Sequence, residues 1–162
     1  MILHITEKLR KKLHIPPLPV VSDIVGPHLR WYANLFYAER TQYVLTTNAA
    51  SLFTVIMYGR GKTYDYAYLS SLRGDLESHL MELDLRPVWE RCLNPGWGRV
   101  TWSKTVDRSV LGSMNDMVSL CKYRLAEADV APAILSRDLN ETPFSALRYG
   151  NPRKAFTELP ME

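Results

Sequence analysis

The chain reads as an α+β domain: an antiparallel sheet of three to five strands covered on one face by helices. Two observations predict this. Strand-like alternation fills much of the region from Trp31 to Tyr58, and two long stretches after it carry apolar residues at helical spacing. The composition agrees. A chain of 162 residues with 46% hydrophobic and 23% charged residues is long enough for one real core. Disorder, collagen and coiled coil are poor fits, and residues 1–162 are expected to form a single domain.

The elements follow in chain order. Ile2–Ile5 is short and apolar and reads as an edge strand. Thr6 can cap a helix through Leu13, which the prolines after Ile15 stop because proline cannot continue a helix. Trp31, Ala33, Leu35 and Tyr37 share one face of a strand, with Tyr32, Asn34 and Phe36 on the other. Thr41–Thr47 pairs with it as a hairpin. Leu52–Tyr58 is apolar on both faces, which predicts the centre of the sheet. Gly59-Arg-Gly61 ends that strand.

Thr63–Leu83 carries Leu69, Leu72, Leu76, Leu80 and Leu83 at steps of three and four, the stripe of an amphipathic helix. Pro87–Leu93 reads as a helical turn, Asn94–Gly98 as a turn and Arg99–Thr105 as a fourth strand. A second long helix has Met114, Met117, Val118, Cys121 and Leu125 on its apolar face. Ser113 with Asp116 makes a capping box at its start, and Asp107 or Ser109 are alternative caps of a longer helix. Pro132 opens a helix through Leu139, and Thr142 caps another from Pro143 to Tyr149. That pair has the outline of a helix-turn-helix, but from Val130 onwards acids balance bases, so packing is the better reading.

The net charge of +3 is mild but uneven. Residues 1–62 hold eight Lys/Arg against three Asp/Glu, a net of +5. Such an excess permits an anionic partner without requiring one. Cys92 and Cys121 are too far apart in sequence for a metal signature. With no apolar leader and no run of transmembrane length, the expectation is a cytoplasmic protein that keeps both thiols free and engages no membrane. The four histidines lack ligand spacing, so neither a metal nor a cofactor is expected.

The segments WYANL (Trp31–Leu35), RTQYVLTTN (Arg40–Asn48), KTVDRSVLGSMND (Lys104–Asp116) and LNETP (Leu139–Pro143) carry a resemblance. Their spacing over nearly the whole chain resembles a family of bacterial proteins defined as a domain of unknown function, with similar stretches in larger plasmid- or transposon-borne proteins. The resemblance implies bacterial origin and one intact domain. It carries over no catalytic residue.

The cluster Lys104–Asp116 is the leading functional candidate. Lys104 and Arg108 bring positive charge, Ser109 and Ser113 bring hydroxyls, and Gly112 allows close approach to a helix start. Free amides there favour an anion such as a phosphate. The competing reading is that these residues cap the helix and pair with each other. Asn34, Arg40, Asn48, Asn115 and Asp116 are further polar candidates, each with an ordinary turn or surface reading. A binding or adaptor module for an anionic or nucleic-acid ligand is therefore the first expectation. The alternative is a small enzyme acting on a phosphorylated or nucleic-acid substrate.

Overall fold

The computed structural model describes residues 1–161. Its centre is a five-stranded sheet of β1 (Ile2–Ile5), β2 (Arg30–Ala38), β3 (Thr41–Asn48), β4 (Thr54–Tyr58) and β5 (Thr101–Lys104), ordered β4-β3-β2-β1-β5. The architecture is α+β, but the sheet is mixed rather than antiparallel. β2, β3 and β4 form an antiparallel meander, whereas β1 lies parallel to both β2 and β5. The reason is the connection. α1 (Glu7–Lys12) and the extended stretch up to Pro27 are long enough to return the chain to the starting end of the sheet, so β2 enters in the direction of β1.

Two strand positions also depart from expectation. β1 is not an edge: all four of its residues are buried between β2 and β5. β4 is not central: it is an edge whose apolar residues are covered from both sides. Double-sided burial, not a central place, explains its continuous apolar run.

Helices cover both sheet faces, not one. On the first face Leu3, Trp31, Ala33, Leu35, Val44, Val55 and Met57 pack against Leu9 of α1 and against Tyr68, Leu72, Leu76 and Leu80 of α2 (Asp65–Glu82). Thr46 Oγ1 and Tyr68 Oη, 2.9 Å apart, tie α2 to the sheet, and full burial raises the Tyr68 pKa. A helical run of α3 (Arg86–Val88), a π segment (Trp89–Leu93) and α4 (Asn94–Trp97) closes this side, so the turn expected at Asn94–Gly98 is largely helical. On the second face Tyr32, Phe36, Tyr43, Leu45 and Ile56 pack against α5 (Arg108–Glu127) and α6 (Pro132–Glu141). Met117 and Cys121 of α5 point into this core, and burial pushes the Cys121 thiol up to about 12.

The tail is rearranged relative to the sequence reading. Pro143–Tyr149 is not a helix. It contains a 3-10 turn (Ser145–Leu147), and Arg148 and Tyr149 have φ of 52° and 64°, which reverses the chain. The helix is α7 (Pro152–Thr157), one step later, with Asn151 Oδ1 accepting the Lys154 amide at 2.8 Å. The residues read as a terminator, Asn151 and Pro152, are its cap and first turn. Phe156 of α7 stacks on Phe53 at 4.6 Å and joins the first core. No helix of the chain is long and apolar enough to cross a membrane, taken over the described residues.

Candidate functional site

The Lys104–Asp116 residues do not converge on a pocket. Asp107 is the cap of α5, its Oδ1 accepting the amides of Ser109 (2.9 Å) and Val110 (3.2 Å). The first free amides of the helix are thereby satisfied by the chain's own carboxylate. Ser113 is therefore no cap: it lies in the second turn, on the inner side with Met114 and Met117. Arg108, Ser109, Gly112, Asn115 and Asp116 are all exposed along the outer face of α5. Lys104 stands at the end of β5 with its amide donating to the Pro19 carbonyl at 3.0 Å. What the sequence grouped is thus an open polar helix face beside a lysine.

Beneath this face lies a buried pair that sequence spacing hides. The His4 ring stacks on Tyr32 with centroids 4.5 Å apart, and His4 Nδ1 is 2.9 Å from the Lys104 carbonyl. The Tyr32 hydroxyl accepts the Asp107 amide at 3.3 Å. Burial lowers the His4 pKa, which keeps the imidazole neutral. His4 Nε2 has no hydrogen-bond partner among the described residues. This assembly anchors the entry to α5 on the sheet.

Asn34 and Asn48 have structural work. Asn34 Oδ1 accepts the Thr6 hydroxyl at 2.8 Å and the Leu35 amide at 2.9 Å. Asn48 is fully buried. Its Oδ1 accepts the amides of Ala50 and Ser51 and the Ser51 hydroxyl, while Nδ2 donates to the carbonyls of Pro27 and Arg30. Such a residue builds the β3–β4 turn rather than a binding surface.

Arg40 is different. It lies exposed at the tip of the β2–β3 hairpin and lines a groove of about 740 Å³ with Tyr37, Thr41, Gln42, Tyr58, Arg60 and Lys62. Among the described residues no carboxylate lines this groove. Two features of the chain build it. The first is the turn Gly59–Lys62, where the Lys62 amide donates to the Gly59 carbonyl at 3.1 Å and Gly61 takes the φ of +79° that a type II turn needs. The second is the close approach at Gly59. Its amide donates to the Gln42 carbonyl at 2.8 Å, and a Cβ there would sit 2.9 Å from the Gln42 Cβ. Glycine at 59 therefore lets Arg60 and Lys62 stand beside the hairpin that carries Arg40.

Gln42 organises the floor. Its Nε2 donates to the Tyr37 hydroxyl and its Oε1 accepts from Lys12 Nζ of α1. Lys12, Arg40, Arg60 and Lys62 take part in none of the ion pairs among the described residues. Positive charge that no ion pair holds creates a local field that favours an anion, with the Asp75 carboxylate acting on Lys62 from the side. Tyr37 and Tyr58 are 56% and 46% exposed, so aromatic faces accompany the charge. Arg60 and Lys62 were legible in part. The sequence G-R-G-K follows a strand, and the basic excess of residues 1–62 includes both. What sequence could not supply was that this turn folds back onto Arg40.

Comparison with known protein families matches residues 2–155 to a domain of unknown function, DUF6933. No curated protein and no solved structure matches the chain.

Proposed function

This chain belongs to the DUF6933 family, a domain of unknown function matched over residues 2–155, and we propose that it is a binding module for an anionic ligand. The ligand lies in the groove between the β2–β3 hairpin and the Gly59–Lys62 turn. One observation carries this reading: Arg40, Arg60 and Lys62 line a single groove in which no carboxylate stands among the described residues. Arg40 and Arg60 supply planar donor forks suited to phosphate or carboxylate oxygens, and Lys62 supplies a point charge. Gln42 and the tyrosine hydroxyls add neutral hydrogen-bonding groups.

The open placement of Arg108 and Asp116 on the outer face of α5, with the Asp107 carboxylate taken up by the helix start, supports a binding module over the enzyme alternative. A catalytic set would require converging groups in a site that excludes water. The test is a titration of inorganic polyphosphate into the protein, followed by calorimetry, for the parent and the double variant Arg40→Glu/Arg60→Glu. Both arginines are exposed, so the variant keeps its melting temperature. Binding that weakens with added salt and is lost in the variant supports the reading. Equal binding by parent and variant contradicts it.

A further inference from the structure

Beyond Lys62 the chain carries a row of aromatic rings. Tyr64 and Tyr66 stack with centroids 5.9 Å apart and planes 5° from parallel. They are 51% and 70% exposed. His14 meets Tyr64 from the end of α1 with centroids 5.3 Å apart, and His14 Nδ1 is 2.8 Å from the Thr63 carbonyl. The row is joined to the groove twice. Through the chain, Tyr64 follows Lys62 by two residues. Through α1, Lys12 reaches Gln42 on the groove floor. Against these cations stand Glu39 at the hairpin tip, Asp75, which shares a groove with Lys62, and Asp65, whose Oδ1 is engaged by the Tyr66 amide at 2.8 Å.

Large tyrosines left in solvent as a parallel pair gain nothing for the fold from their outer faces. Beside a basic groove whose cations form no ion pair among the described residues they match one ligand chemistry. Phosphates follow the cations while unpaired bases stack on the rings. Polyphosphate or a carboxylate would use the charges but not the rings. A duplex would hide its base faces inside its own stack. We infer that the anionic ligand of this module is single-stranded nucleic acid, with Arg40, Arg60 and Lys62 on its backbone and Tyr64 and Tyr66 stacking its bases. This rests on the anion-binding reading above and adds the class of ligand.

The experiment is fluorescence anisotropy with a labelled 12-nucleotide oligothymidylate, its duplex with oligoadenylate, and unlabelled polyphosphate as competitor. The proteins are the parent, Tyr66→Ala, Tyr64→Ala/Tyr66→Ala and Tyr64→Phe/Tyr66→Phe. The parent binds the single strand more tightly than the duplex. The alanine variants lose single-strand affinity on the order of ten-fold, the phenylalanine variant keeps it, and polyphosphate affinity is unchanged in all four. Tyr66→Ala alone guards against a folding defect, since Tyr66 is the more exposed of the two. If polyphosphate binds but the alanine variants hold the single strand as the parent does, or the duplex binds equally well, the inference is overturned and the anion reading stands. If neither polyphosphate nor oligonucleotide binds the parent, both fall.

Discussion

Glu39 and Arg40 close the β2–β3 hairpin with φ of 46° and 63°. A two-residue loop with both φ positive is the turn that asparagine-glycine forms cheaply, and here neither position has such a residue. A left-handed conformation costs an ordinary side chain about 1–2 kcal/mol, against about 0.5–1 kcal/mol for the extra freedom glycine loses on folding. Arg40→Gly is therefore expected to stabilise the protein by about 0.5–1 kcal/mol in urea unfolding while weakening polyphosphate binding. A stabilised variant that binds as the parent does would show that the arginine is not kept for the ligand. The buried histidines make a different prediction. Burial lowers the pKa of His4, His28 and His79 below the ordinary value of 6.5. Below that pH the unfolded chain takes up protons that the folded chain refuses, so the histidine contribution to stability falls as pH drops through 6.5 and is flat above it. Melting temperatures at pH 7.5 and 5.5 check the sign. A His4→Gln/His28→Gln variant should show a shallower drop.

At the scale of elements, β4 is an edge strand made safe by side chains of α6. Asn140 Oδ1 accepts the Thr54 amide and its Nδ2 donates to the Thr54 carbonyl, both at 2.8 Å. Ser136 Oγ accepts the Ile56 amide at 2.7 Å. These groups substitute for a sixth strand and block edge-to-edge pairing. Asn140→Ala leaves two buried backbone groups unpaired and is expected to cost roughly 2–4 kcal/mol. Ser136→Ala/Asn140→Ala should also self-associate on concentration, which light scattering would detect; a monomeric double variant of parental stability would remove this role from α6. The same strand explains where the sequence misled. An apolar run such as Leu52–Tyr58 records burial on two faces, and helices on both sides supply that as well as neighbouring strands do. The stripes of Leu72, Leu76, Met117 and Cys121 were legible because helical periodicity is local, and all four point inward. The parallel placement of β1 was not, because it depends on where a distant connection returns the chain. Asp107 and Ser113 were both plausible caps by residue type, and the packing of Val110 and Met114 into the second core selects the earlier one.

At the scale of the molecule, one end gathers cations that the sequence disperses over residues 12 to 62. The excess of positive charge in the first third was legible, but its densest run, Lys8 to Lys12, is only part of the surface. Arg10 pairs with Glu7 at 2.6 Å and Lys11 lies 3.9 Å from the same carboxylate. Lys12 turns instead to Gln42, and Arg40, Arg60 and Lys62 meet it through a hairpin and a glycine turn. The cluster Lys104–Asp116 drew attention because its charges are contiguous in sequence, and contiguity on a helix spreads residues around an axis rather than gathering them. The most direct measurement is a nitrogen–proton correlation spectrum of the labelled protein during addition of polyphosphate. Shift changes should concentrate in Tyr37–Gln42 and Tyr58–Lys62, with Lys12 following. Changes confined to Lys104–Asp116, or none at either place, would contradict the account.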